Sequence, residues 1–582
     1  MADIDKNVVI VGGGLGGLGA ALSAVQSGCT VDIVSIVPVK RSHSVCAQGG
    51  INAAKNIKGE GDSTKQHAYD TIYGGDFLAN QGPIVRMCEN APKILDLFDR
   101  FGVMFNRTPE GHLDFRRFGG TLYHRTAYAG ATTGQQLLYS LDEQVRRFED
   151  QGKVTKYEGW EMLSNIIDED GVCRGIVAQN LDTMELRAFK GNAVVIATGG
   201  PGNVFGRSTN STINNGIAAS TCFKQGVKYA NGEFIQVHPT AIPGSDKDRL
   251  MSESARGEGG RVWTYKDGKP WYFLEEKYPK YGNLVPRDIA TREIFDIVHK
   301  QGLGINGKPC VHLDLTHKPR EFLNKKLGGI LEIYEKFKGV DPREVPMEVF
   351  PSVHYSMGGL WIENDTQMTN IPGLFAAGEC EYQYHGANRL GANSLLSCTF
   401  GGLETGKDVA KYISGLEKSY ADLDESVFAN QLKVEQDLVN KFTSQTGKEN
   451  ARAIHIELGN MMTKNVTVVR YDKDLEETLH GIQGLRAKFE QVQIPDTGKW
   501  ANQSLFYMRE LFHMFDIAEI ITKGALMRKE SRGAHYKPEY PDRIDEEWLK
   551  TTIAEYKNGG VEISYEPVDT SHFEPVLRNY AK

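Results

Sequence analysis

The first clear pattern along the chain is a β-branched run, Val8, Val9, Ile10 and Val11, broken by glycines at 12, 13, 14, 16 and 17. An apolar run of this length that ends in glycine reads as a buried strand entering a tight turn. Alanine- and leucine-rich residues continue to Gly28 and predict a helix, and residues 30–34, Thr-Val-Asp-Ile-Val, predict a second strand. Two later runs have the same character: residues 192–200, ending in Thr198-Gly199-Gly200, and residues 374–379, ending in Gly378-Glu379. From about 420 to 530 the pattern changes to a helical period. There Leu505, Met508, Leu511, Phe512, Phe515, Ile517, Ile520 and Ile521 form a broad apolar face, which core packing accounts for. No apolar run approaches the ~18 residues that a bilayer-crossing helix needs.

The glycines of the first turn add chemistry to this pattern. Gly12, Gly14 and Gly17 fit G-x-G-x-x-G, with Gly13, Leu15 and Gly16 between them, in a strand–turn–helix–strand setting. Such a turn lets the backbone approach a pyrophosphate, which the unpaired N–H groups of the helix N-terminus attract. Ser35 stands where an acidic residue usually holds a ribose. That neutral group weakens a reading of bound NAD and leaves FAD favoured.

Composition narrows the class. With 582 residues, 40% hydrophobic and 24% charged, the chain has material for several domains. A net charge of −8 gives no electrostatic reason to expect nucleic acid. The eight cysteines contain no C-x-x-C pair, so neither a disulfide framework nor a metal or iron–sulfur site is expected. The residues before Val8 carry no pattern of a secretory leader. Five polar clusters remain: residues 236–240 with His238; 252–260 with Ser252, Glu253 and Arg256; 286–288 with Arg287; 354–359 with His354; and 385–396 with Arg389. Each sets Arg or His among Gly, Ser and Asn, the composition of loops that approach a ligand closely. Guanidinium groups pair bidentately with carboxylates, so an acidic small molecule would satisfy such a set.

Read together, the motifs RSHSVCAQGG (from Arg41), HPT, SESARGEGG, PRD, HYSMGG and HGANRLGANSLL resemble, in this order, the flavoprotein subunits of succinate dehydrogenase and fumarate reductase. The resemblance runs to residues 530–535, and its wording is most similar to the Gram-positive-type, menaquinone-linked enzymes. It implies an α/β fold: a Rossmann-like FAD-binding domain (1–235 and 353–415) with an inserted α+β capping domain (236–352). A C-terminal helical domain (416–535) and a charged end segment (536–582) without chemistry beyond surface contacts complete it. It also implies FAD held covalently through His43, with Arg41, Ser42, Ser44, Gln48, Gly49 and Gly50 around it. Thr198, Gly199, Glu379, Asn393, Ser394, Leu395 and Leu396 are the remaining expected FAD contacts.

By the same resemblance His238, Ser252, His354 and Arg389 bind succinate or fumarate. Arg287 exchanges a proton with the substrate carbon, and Glu253 and Arg256 relay that proton toward solvent. Ser252 stands where many members of the family have Thr, and the hydroxyl is kept. The implied partners are an iron–sulfur subunit and a membrane cytochrome b anchor that passes electrons to quinone, at the cytoplasmic face of the cell membrane. Fumarate reduction by the same residues is the alternative. L-aspartate oxidation is a further one, against which His43 speaks.

Overall fold

The computed structural model describes residues 5–244 and 247–580; the leader-free start expected before Val8 lies partly outside them, at residues 1–4. Seven strands position the site: β1 (Asn7–Val11), β2 (Thr30–Ser35), β3 (Val154–Glu158), β4 (Ala193–Ile196), β5 (Ile235–Ile242), β6 (Met347–Ser356) and β7 (Leu374–Ala376). Four helices matter with them: α1 (Leu15–Gln26), α2 (Arg287–Phe295), α3 (Asn393–Ser414) and α4 (Gln503–Met527).

The central sheet runs β7-β4-β1-β2-β3 and is parallel throughout. Val8–Val11 of β1 and the whole of β4 and β7 are apolar because both faces of the sheet are covered there, whereas β3, at the edge, carries Lys156 and Glu158. Val9, Val11, Val194 and Ile196 point into one core, while Val8, Ile10, Ala193 and Val195 point into another. Period-two alternation thus divides one apolar run between two cores. The turn after β1 needs glycine: Gly12 has φ +104°, and a Cβ there would lie 2.3 Å from the Ala197 carbonyl oxygen.

On the second face α1 and α3 pack against each other through glycine. A Cβ on Gly402 would lie 2.3 Å from the Gly16 carbonyl oxygen, and one on Gly406 would lie 2.4 Å from that of Ala20. The two helix backbones therefore approach more closely than any larger side chain permits. Their N-termini, one after each glycine-rich turn, end up at the same cavity.

β5 and β6 pair as an antiparallel ribbon at the heart of a six-stranded sheet, over a separate core that includes Val262, Leu313 and Met347. The expected domain boundaries at 235/236 and 352/353 fall at the start of β5 and within β6, so this ribbon carries the connection. Its register shifts between Gln236 and Val237 and again between His238 and Ala241, around Pro239. Proline cannot donate to a ladder, and bulges of this kind re-aim side chains. α2 rests on the ribbon, where Thr291 Oγ1 donates to the Val237 carbonyl at 2.9 Å.

Residues 425–527 hold four long helices, and the predicted apolar stripe is buried on α4 apart from Phe512, which is partly buried. The end segment departs from its expected surface role. Lys550–Lys557 and Gly560–Pro567 form a hairpin, and its first strand pairs with Tyr229–Ala230. Arg578 and Tyr580 are buried rather than solvated. Charge composition hid this, because Lys537, Arg543, Asp545 and Arg578 are paired within the fold.

A Gly402→Ala substitution should push α1 and α3 apart and lower stability by about 1–3 kcal/mol, the usual range for overpacking. Thermal unfolding of the variant beside the parent measures it.

Candidate active site

A cavity of about 450 Å³ runs from the glycine-rich turn of β1 to the ribbon of β5 and β6. At one end lie Gly12, Gly13, Gly14, Leu15 and Gly16, with Ser35, Thr198 and Gly199. The α1 N-terminus there has no side-chain cap and no acidic residue in its first turn. A hydroxyl reaches it from outside the helix, as Leu15 N–H donates to Ser44 Oγ at 3.2 Å. A positive helix end, left open and faced by backbone that only glycine allows so near, fits a pyrophosphate. The α3 N-terminus is also uncapped and also reaches the cavity, through Ser394 and Leu395. It follows Ala392, which sits at φ +63°, a strained conformation for a residue with a Cβ. Asn52 holds that turn: its backbone N–H donates to the Ala392 carbonyl and its side chain to that of Gly391 at 2.8 Å. These residues fit FAD, with an anion-binding helix end at each side of the space.

His43 lines the cavity together with Ser42, Ser44, Gln48, Gly49 and Gly50. Its Nδ1 accepts from the Ser211 backbone N–H at 3.2 Å, and its Nε2 lies 3.4 Å from the Asn210 amide. Burial, assisted by the charge of Lys247, lowers its pKa to about 4. The ring is therefore neutral at physiological pH and keeps its nucleophilic lone pair.

At the far end the polar clusters converge. Arg287, the first residue of α2, donates Nε (2.8 Å) and Nη2 (2.6 Å) to Glu253 Oε2, and Nη1 to Gln236 Oε1 at 2.9 Å. Glu253 Oε1 accepts from Arg256 Nη2 at 2.7 Å and from the Gly119 backbone N–H at 3.1 Å. Burial pushes the Glu253 carboxyl up, but Arg287 and Arg256 hold it below the usual carboxylate range. Arg256 itself is fully buried behind Glu253 and ends on the Asn283 carbonyl at 2.7 Å.

The remaining candidates face this pair with donors that the protein leaves unmatched. The His238 and His354 rings meet edge to face with centroids 5.0 Å apart. His238 Nδ1 accepts from the Thr240 backbone N–H at 3.2 Å, and its buried Nε2 has no partner. His354 Nδ1 lies 2.7 Å from Thr209 Oγ1. Burial, then the neighbouring arginines, depress both imidazoles well below their ordinary value. The Arg389 guanidinium stacks over Tyr355 at 4.3 Å, and its buried Nε and Nη2 lack partners. Burial and Arg287 bring it down to about 9, which leaves it charged at neutral pH. Ser252 Oγ, 2.9 Å from Ser254 Oγ, closes the ring of polar groups. Among these groups three buried arginines face one carboxylate. Such an excess of positive charge is tolerated only where an anion enters to balance it.

Some expected contacts sit elsewhere. Arg41 is exposed and away from the cavity wall. Gly17 lies inside the turn, where its Cβ would meet the Gly12 carbonyl at 1.9 Å. Asn393 accepts from Asn52 Nδ2 at 2.7 Å and braces the α3 start, while Leu396 is core. Glu379 does reach the cavity; burial raises its carboxyl to about 7, and Oε1 accepts from the Ser356 backbone N–H at 3.1 Å. Gln236, Tyr355 and Asn388 were not singled out from the sequence. All three lay in polar clusters, one or two residues from His238, His354 and Arg389, but nothing in the local pattern set them apart from their neighbours.

The family model described as an FAD binding domain matches residues 7–395, and that described as fumarate reductase flavoprotein C-term matches residues 455–580. The chain is 63% identical to the succinate dehydrogenase flavoprotein subunit of Bacillus subtilis (strain 168), over 99% of each chain. It is 34% identical to the fumarate reductase flavoprotein subunit of Haemophilus influenzae, covering 100% of this chain and 97% of that one. A solved structure of E. coli quinol fumarate reductase superposes with a TM-score of 0.93 at 32% identity, over 99% of both chains. No helix among the described residues is long and apolar enough to cross a membrane.

Because the native fold binds no proton at His43 until about pH 4, while an unfolded histidine does so near 6.5, acid favours the unfolded chain across that window. The flavin-free protein should lose stability as pH falls from about 6.5 to 4. A His43→Ser variant should lose less over the same range, read as melting temperature against pH.

Proposed function

The chain belongs to the family of succinate dehydrogenase and fumarate reductase flavoprotein subunits, and from that premise we propose that it oxidises succinate to fumarate, with FAD bound covalently through His43. The observation that carries the reading is the buried excess of guanidinium charge, with unmatched donors on Arg389 and His238, between the nucleotide cradle and the Arg287–Glu253–Arg256 chain. When bound, FAD supplies the two-electron acceptor for succinate, and the two-electron donor in the reverse reaction.

The protein's own groups supply the rest. Arg389 and His354 hold one carboxylate of the substrate, and His238 and Ser252 hold the other. A dicarboxylate placed there neutralises the arginine excess and occupies the unmatched donors, so binding and desolvation reinforce each other. Arg287 takes the proton from the carbon next to the one that gives up the hydride. A guanidinium, with an ordinary pKa above about 12, can do so only while it passes a proton onward at once. Glu253 accepts from both Nε and Nη2 of Arg287 and hands on to Arg256, an unbroken hydrogen-bonded path. The positive field around the substrate also stabilises the anionic character that develops as the proton leaves.

His43 serves as the nucleophile for attachment because its ring is neutral. As a flavoprotein subunit the chain passes its electrons onward. We take the recipients to be an iron–sulfur subunit and, beyond it, a membrane cytochrome b anchor with quinone, menaquinone being favoured by the Gram-positive-type wording of the motifs. That assembly would hold the chain at the cytoplasmic face of the membrane. Fumarate reduction uses the same residues and remains the second reading.

Arg287→Gln should lower kcat for succinate by roughly 10²–10⁴-fold, the range general acid–base catalysis supplies, while flavin content stays at the parent level. Turnover near that of the parent with full flavin would remove Arg287 from the proton step. After acid precipitation, flavin should remain on the peptide that contains His43, and His43→Ser should release it; peptide mapping by mass spectrometry reads both.

A further inference from the structure

Residues 568–580 form no helix or strand, yet they are fixed along their length. Asp569 N–H donates to Asn80 Oδ1 at 2.8 Å, and the Phe573 N–H and carbonyl both pair with the Gln81 amide. The Val576 carbonyl accepts from Arg543 Nη1 at 2.8 Å. Leu577 then stands in solvent at 71% exposure while Arg578 and Tyr580 turn inward. An exposed leucine directly before an arginine whose side chain is buried is the reverse of what solvation alone would choose.

What the two buried groups touch belongs to different parts of the molecule. Arg578 Nη2 lies 2.6 Å from Asp288 Oδ2 and 3.1 Å from Asp76 Oδ2, and Nη1 donates to the Gly74 carbonyl at 3.2 Å. The Tyr580 ring packs against Tyr73 on one side and Tyr281 on the other, at 5.4 Å and 5.0 Å. Tyr73, Gly74 and Asp76 belong to the nucleotide-binding part, whereas Tyr281 and Asp288 belong to the inserted part that carries Arg287. Asp288 is the second residue of α2, directly after Arg287. Its other oxygen accepts from Asn388 Nδ2 at 3.1 Å, next to Arg389. Asp76 and Phe77, at φ +56° and +59°, hold a strained turn that the surrounding arginines stabilise.

We propose that Arg578, with Tyr580, is a positioning residue for the reaction: the C-terminal strap pins the start of α2 onto the nucleotide-binding part and so holds Arg287 at the substrate. The proposal rests on the proton-exchange role assigned to Arg287. Without the strap, Asp288 keeps Arg292 and Asn388, so α2 still folds, but its first turn loses the Arg578 Nη2 contact that it shares with Asp76. The inserted part would then open more readily, and Arg287 would sit away from its reacting geometry for more of the time.

The test uses the assembled, flavin-loaded enzyme with Arg578→Met, Arg578→Lys and Tyr580→Leu. In Arg578→Met, kcat per bound flavin should fall roughly 10- to 100-fold, with KM for succinate changing less than about threefold. The isotope effect with deuterated succinate should rise, because the chemical step becomes more rate-limiting. Amide hydrogen exchange in residues 278–295 should speed up, Arg578→Lys should restore part of each loss, and Tyr580→Leu should move all readouts the same way by less. Unchanged turnover, isotope effect and exchange in Arg578→Met would overturn the proposal. So would a loss of activity without a change in isotope effect or exchange, since that marks a merely structural role. Should Arg578→Met fail to fold, Tyr580→Leu decides on the same readouts. A parent enzyme inert toward succinate would sink the proposed function instead, and the exchange data would still report whether the strap holds α2.

Discussion

One buried carboxylate, Glu253, holds the reactive end of this molecule together. It accepts from Arg287 and Arg256 on opposite oxygens and from the Gly119 backbone across the boundary between the two parts of the fold. Two guanidinium groups could not be brought this deep without it, because an unpaired buried charge is far more costly than a paired one. Arg389 is left without such a partner, and that imbalance gives the cavity its appetite for an anion. In the proposed reaction, binding chemistry and folding chemistry are thus one arrangement: the charges that burial makes costly are the ones that would pair with the substrate.

The cradle at the other end depends on backbone proximity rather than charge. Gly12, Gly16, Gly402 and Gly406 let a strand and two helices approach one another as closely as their main chains allow. The consequence is two uncapped helix N-termini opening on one cavity, with the strained Ala392 as the turn into the second. Such N-termini attract negative charge with no side chain of their own.

Beyond the site, a network of buried ion pairs ties distant segments together. Glu233, Arg528, Glu530 and Arg532 are wholly buried and linked in series, and Arg532 reaches Asp545, which pairs with Arg543. Arg543 meets Asp76, Asp76 meets Arg578, and Arg578 meets Asp288. Its route runs from the end of α4 to the residue beside Arg287. Buried pairs of this kind contribute little net stability, but removing one partner is strongly destabilising, so the network specifies geometry more than it strengthens the fold.

Much of this was determined locally and could be read from the sequence. The apolar runs of β1, β4 and β7, the glycine spacing after β1 and the helical stripe of α4 are short-range patterns, since strand and helix periods and the need for φ > 0 act over a few residues. The Glu253–Arg256 pair is likewise local, three residues apart on one helical turn. Tertiary structure alone decided which charges meet. Arg287 finds Gln236 across 51 residues, and Arg578 finds Asp288 across 290. It also sent Arg41 to the surface, and it gave the charged end segment a buried strap that its composition concealed. The physical reason is that the sign of a charge is written in the residue, whereas its burial and its partner depend on elements that only the folded chain brings together.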